Sequence, residues 1–143
     1  MFSKVTVKEI QENWNDIKDT LLKIEHPVLK QSEHFIENVY SALVQDKFQV
    51  WKFTNSEDKI QGLVLTSFIG DPLLDRKKLL IMSIYALEHI NNDTWTQGFV
   101  ILKKYAIKND CEQIVAYTQN PRVLDISAHL GAANNWAYLT WEI

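Results

Sequence analysis

DTWTQGFVILKKYAIKNDCEQIVAYTQNPRVLDISAHLG, residues 93–131, holds four signals in order: a helix-patterned run, a short apolar strand, an Asn-Pro corner and a second helix ending at a glycine. Trp95, Phe99, Leu102 and Ala106 recur at helical spacing, which gives the first helix one apolar stripe. Asp93 or Thr94 is placed to cap it. Residues 114–118 read as a strand. Asn120 can cap the next helix, and Pro121 suits its first turn because the N–H that proline lacks would be unpaired there anyway. Gly131 is a natural left-handed terminator.

Upstream, residues 2–7 read as a short first strand. Thr6 and Glu9 then stand at the T-x-x-E spacing of a capping box, so a helix should begin there. Ile10, Trp14, Ile17 and Leu21 lie on one face of it, and it must stop before Pro27, because the residue preceding proline disfavours helical geometry. A second helix is expected near Ser32, a possible cap, with Ile36, Val39, Tyr40 and Leu43 on its stripe. Residues 48–53 alternate, with Phe48, Val50 and Lys52 on one face and Gln49, Trp51 and Phe53 on the other. The turn at 55–58 leads into residues 60–68, which predicts an antiparallel hairpin. After a charged bend at 75–78, the run 79–87 is apolar enough for a central strand covered on both faces. Residues 136–143 alternate again and are expected to form a last strand, for an α/β (α+β) domain of about six strands and four helices over residues 1–143.

At 143 residues, with 46% hydrophobic and 23% charged side chains, the chain is one domain's worth of ordinary globular protein. Fifteen basic against eighteen acidic residues leave a net charge of −3, no field to attract a polyanion, so nucleic acid is a poor partner. A single Cys111 excludes an internal disulfide and fits a reducing compartment. The first residues lack the pattern of a signal peptide, and no run approaches membrane-spanning length, so a cytoplasmic location without membrane association is expected. His26, His34, His89 and His129 share no ligand-like spacing with each other or with Cys111, and no metal site is expected.

The order of elements, with Phe99, Leu102 and Ala106 on the first helix and Asn120 seven residues before Ser127 and eleven before Gly131, resembles the GNAT acyltransferase superfamily. The resemblance spans nearly the whole chain and implies a mixed, mostly antiparallel central sheet flanked by helices. It also implies where function would sit. The family's phosphate loop, R/Q-x-x-G-x-G/A, falls on residues 90–95, which here read Ile-Asn-Asn-Asp-Thr-Trp and contain no glycine. The family's general-acid Tyr falls on Ser127, and the Phe after the closing glycine on Ala132. Small GNAT-like proteins with a degenerate coenzyme loop occur in bacteriophages, some among virion or assembly proteins, and the spacing from Asn120 to Ala132 is similar to theirs.

Two uses of the fold follow from the resemblance. In an acetyl-CoA-dependent N-acyltransferase, Glu88 at the end of the central strand would act as base through water. Main-chain groups of Ile84, Tyr85 and Leu87 would orient the pantetheine arm, Asn120 would help hold the cofactor, and Ser127 would assist the departing thiolate. Against this, a pyrophosphate approaches helix-end amides closely only over small residues and is drawn by a cation, whereas Asp93 puts a carboxylate there. Asp93 is equally readable as a helix cap, Glu88 as a solvated strand end and Ser127 as a packing residue. The other use is a catalytically impaired accessory protein that needs no cofactor and binds a protein partner, with Trp51, Trp136 and Trp141 on alternating strands as candidate contacts and the terminal strand as the foremost interface. A sensor that binds acyl-CoA or another small molecule without turnover is a third use of the same cleft.

Overall fold

Thr6 and Glu9 do form a capping box: the Thr6 hydroxyl accepts from the Glu9 N–H at 3.1 Å while the Glu9 carboxylate accepts from the Thr6 N–H. The computed structural model describes residues 1–23, 34–71, 73 and 75–143. The expected first helix is divided at Asn13 into α1 (Val7–Glu12) and α2 (Trp14–Leu22), yet Ile10, Ile17 and Leu21 all reach the core as their spacing predicts. A third helix, α3 (Phe35–Val44), buries Phe35, Val39 and Leu43. Pro27 and the possible cap Ser32, like His26, lie outside the described residues.

Among the described residues the sheet has five strands in the order of the chain: β1 (Phe2–Lys4), β2 (Phe48–Thr54), β3 (Ile60–Asp71), β4 (Arg76–Ala86) and β5 (Cys111–Ala116). The first four pair antiparallel and β5 joins β4 in parallel, through the crossover helix α4 (Asn92–Lys108). The hairpin turn between β2 and β3 is held by the Asn55 side chain, which accepts from the N–H groups of Glu57 and Lys59.

Alternation along the strands builds two cores. Val50, Leu63, Leu65, Leu80 and Met82 face α1–α3, while Trp51, Phe53, Val64 and Leu79 face α4. The central-strand reading of residues 79–87 is therefore realised by β4, which feeds both cores. On the α4 side, Gly98 lets the helix settle onto the sheet, because a Cβ there would lie 2.9 Å from the Phe53 ring. Gln49, on the same face, is buried among apolar neighbours but satisfied. It accepts from the Thr66 hydroxyl, which in turn accepts from the Trp51 indole at 2.9 Å.

Two further expectations change. Asn91, not Asp93 or Thr94, caps α4: its extended backbone lets its side chain accept from the Thr94 N–H at 2.8 Å. The last helix, α5 (Pro121–His129), is capped by Asn120 and terminated by Gly131 at φ +88°, as its sequence predicts. Beyond it, however, residues 136–143 form no strand. A strand exists by its ladder, and the ordered sheet ends at β5.

Candidate functional site

The parallel pair comes apart at one end. β4 and β5 pair from Lys77↔Cys111 to Ile81↔Ala116, with one register shift between Lys77 and Lys78, and residues 82–86 of β4 extend past the last rung. The divergence coincides with a bulge. β3 faces Ser83 with Leu65 and Ile81 with Thr66, which leaves Met82 as the extra residue that bends the strand.

Past the bulge, the pairing fixes which main-chain groups face the opening. Leu87 donates its N–H to the Gln61 carbonyl at 2.8 Å, so Leu87 and, two residues back, Tyr85 are turned toward β3. The alternate residues Ile84 and Ala86 present their N–H and C=O on the β5 side. Of the three positions proposed from sequence for a pantetheine arm, Ile84 thus faces the divergence, and Tyr85 and Leu87 belong to the ladder on the other side.

At the mouth of this opening, the loop 87–91 and the first turn of α4 meet the first turns of α5. They enclose an open cleft of about 470 Å³ lined by His89, Asn91, Asn92, Asp93, Arg122, Asp125 and Ile126. Two helix N-termini converge here, an arrangement that ordinarily favours an anion. Several of the donors nearby are already engaged. The N–H groups of Leu87 and Glu88 both point to the Gln61 carbonyl, that of Thr94 to the Asn91 side chain, and that of Trp95 to the Asn91 carbonyl. Asn120, proposed as a cofactor contact, uses its side-chain oxygen to accept from the Arg122 N–H at 2.9 Å.

Arg122 supplies the cation that the loop itself lacks. Its guanidinium crosses from α5, donates to the Ile90 carbonyl, and meets His89 Nδ1 at 3.0 Å, a contact that requires a lone pair on that nitrogen. Sequence reasoning passed over this residue, although its position two after the Asn120 cap fixes it on the first turn facing the loop. Ile90, a phosphate-loop position by spacing, points inward instead, where it fills the space above Gly62. A Cβ on that glycine would lie 3.0 Å from its side chain.

Glu88 is exposed at the strand end and accepts from the Gln61 side-chain amide at 2.7 Å. Ser127 lies half-buried on α5, where its carbonyl accepts from Leu130 and Ala132 at the helix end. Among the described residues no three His, Cys, Asp or Glu side chains gather to hold a metal, and no helix is long and apolar enough to cross a membrane. Burial pushes the Cys111 thiol above its ordinary pKa, so it is held as the thiol.

Strand order, the crossover helix and the opened parallel pair define the fold of the GNAT acetyltransferases, and solved structures agree. One is a predicted acetyltransferase from Clostridium acetobutylicum with acetyl-CoA: TM-score 0.71, 17% identity, covering 98% of this chain and 95% of that one. A GNAT family acetyltransferase of Staphylococcus aureus aligns at TM-score 0.67 and 10% identity over 100% of this chain and 98% of its own. An aminoglycoside N-acetyltransferase in complex with CoA aligns at TM-score 0.68 and 12% identity, over 100% and 98%. No protein-family model matches the sequence, and neither does any curated protein.

Proposed function

We propose that this chain uses the GNAT fold as a docking protein with impaired acyl transfer, of the kind bacteriophages encode, binding a protein partner in a virion or assembly role. Its place of action is then the host cytoplasm or the virion. The observation that carries this reading is the commitment of Arg122 to the Ile90 carbonyl and His89, in a cleft that also holds the carboxylates of Asp93 and Asp125. A pyrophosphate seated there would have to displace those bonds and stand beside two like charges. The glycine-free turn adds to the obstacle, since Asn92 and Asp93 carry side chains where a diphosphate would need bare backbone. A net charge of −3 and two exposed tryptophans near the C-terminus favour protein over nucleic acid as the partner.

Acetyl-CoA-dependent N-acyl transfer is the second reading, favoured by the divergence of β4 from β5 and by the main chain of Ile84 facing it. In that case Glu88 removes a proton from the attacking amine through water and Ser127 protonates the thiolate. A thermal-shift titration with acetyl-CoA separates the two. Ligand at a hundredfold excess over its dissociation constant stabilises the fold by about 2.7 kcal/mol. Millimolar acetyl-CoA is expected to leave the melting temperature unchanged. A clear rise that Arg122→Ala abolishes would replace the docking reading with the enzymatic or sensor one, and acyl transfer to an amine would then decide between those.

A further inference from the structure

α5 is held to the domain by few polar contacts. None of its residues is buried, and Val123 and Ile126 are only half-covered. The contacts between Asp125 and His129 stay within the helix, where His129 Nδ1 lies 2.9 Å from the Asp125 carbonyl. Among the described residues, the polar bridges from an α5 side chain to another element are those of Arg122, to the Ile90 carbonyl and to His89 Nδ1. Arg122 is thus the polar tether between α5 and the loop that precedes α4.

One of the two anchors of that tether titrates. A guanidinium only donates, so the 3.0 Å contact exists while the imidazole nitrogen is bare. A protonated imidazole carries hydrogen on both ring nitrogens, offers no acceptor, and sets a second positive charge against the first. The guanidinium has another place to go. Asp125 lies three residues on along the same helix, at a spacing that brings side chains together, and it lines the same cleft. On His89 and Ile90, Arg122 binds α5 to the loop; on Asp125 it serves only its own helix. The other charged groups beside His89 are Glu88, its neighbour in the chain, and Asp93, in the first turn of α4. Both belong to the loop and to α4, so a charged ring that pairs with either leaves α5 untied.

We propose that His89 is a proton-operated latch. Neutral, it holds Arg122, and with it α5, against residues 87–91; protonated, it gives the guanidinium up to Asp125 and the helix loosens from the cleft. This is regulation of the docking surface by pH, and it rests on the reading that this side of the molecule docks protein. Its sign separates it from the histidine that α5 itself carries. His129 stands in the last turn, where a positive charge suits both the helix end and Asp125, so its protonation tightens α5 in acid. Loosening in acid belongs to His89.

Amide hydrogen exchange of the full chain tests this, read by mass spectrometry at about pH 8 and about pH 5 and corrected for the intrinsic rate. Protection across residues 121–130 is expected to fall about three- to tenfold in acid, the effect of losing a partly solvated hydrogen bond to a charged group, while β2 and β3 keep theirs. His89→Gln retains an acceptor that does not titrate and should keep α5 protected at both pH values. Arg122→Met should leave it at the acid level at both, and His129→Gln should preserve the acid loss. Protection that does not fall in the native chain, or an acid loss that survives in His89→Gln, overturns the proposal. The coenzyme titration remains independent. A helix indifferent to pH in a chain indifferent to acetyl-CoA sinks only the latch, and a working latch in a chain stabilised by acetyl-CoA sinks only the docking function.

Discussion

The sheet is built to two standards. From β1 to β4 both faces are covered, and Leu79 and Phe53 are 0% and 1% exposed. Past β4, β5 is half-covered at best, α5 has no buried residue and the C-terminal segment lies open. The first region holds the fold together, and the second is free to be shaped by what it touches. The largest test of that contrast compares truncations. Phe53→Ala removes a ring packed against Phe2 and Trp95 and should cost about 3–5 kcal/mol, whereas Leu124→Ala on α5 should stay within about 0.5 kcal/mol. Urea denaturation of both measures the gap, and similar losses would erase the distinction.

A smaller test lies where the well-packed region supports the cleft. A Cβ at Gly62 would fall 2.8 Å from the Tyr85 carbonyl, which is main chain in a central strand and cannot yield as a flexible side chain would. Gly62→Ala should therefore destabilise by about 1–3 kcal/mol through overpacking. An unchanged denaturation midpoint would mean that β4 gives way at its bulge, and that the two regions are less separate than their burial implies.

Periodicity made the well-packed half legible. The stripe Ile10, Ile17, Leu21 and the alternation through Val50, Trp51 and Phe53 each name the correct face, because burial on one side of an element leaves a mark in sequence. The Asn120 cap and the Gly131 terminator were equally readable, since each type has a backbone role that few others fill. The last strand was not, because alternation in residues 136–143 states only that the segment is able to pair, and pairing depends on a neighbour elsewhere. Arg122 escaped notice for a related reason. Its contacts with His89 and Ile90 span more than thirty residues and leave no periodic trace.

The α4 cap provides a finer test at the boundary between the regions. Asn91→Ala, which removes the acceptor for the Thr94 N–H, should cost about 1 kcal/mol. Asp93→Ala loses only a favourable charge near the helix start, about 0.3–1 kcal/mol and less in high salt. If Asp93→Ala proved the more damaging at every salt concentration, the carboxylate and not the amide would be organising this end of the cleft.

The smallest expected effect is an ion pair that ties α1 to β2. Lys52 Nζ lies 2.7 Å from Glu9 Oε2, with the two side chains 25% and 36% exposed, so solvent screening holds its worth to about 0.2–1 kcal/mol. The hydrogen bond from Lys52 is the largest influence on Glu9 and lowers its carboxyl pKa below the ordinary value, partly opposed by burial. A carboxyl whose folded pKa lies below its unfolded one stabilises the protein above the unfolded value, about 4.3, and that contribution is lost as pH falls through the folded pKa. The stability difference between the native chain and Lys52→Met should accordingly be present at neutral pH and shrink in acid. Glu9→Gln separates the two roles of the residue, because glutamine keeps the reciprocal bond of the capping box while deleting the charge. Its loss should match that of Lys52→Met at neutral pH. A markedly larger loss would show that the Glu9 charge also stabilises the helix start through the helix dipole, beyond its pairing with Lys52.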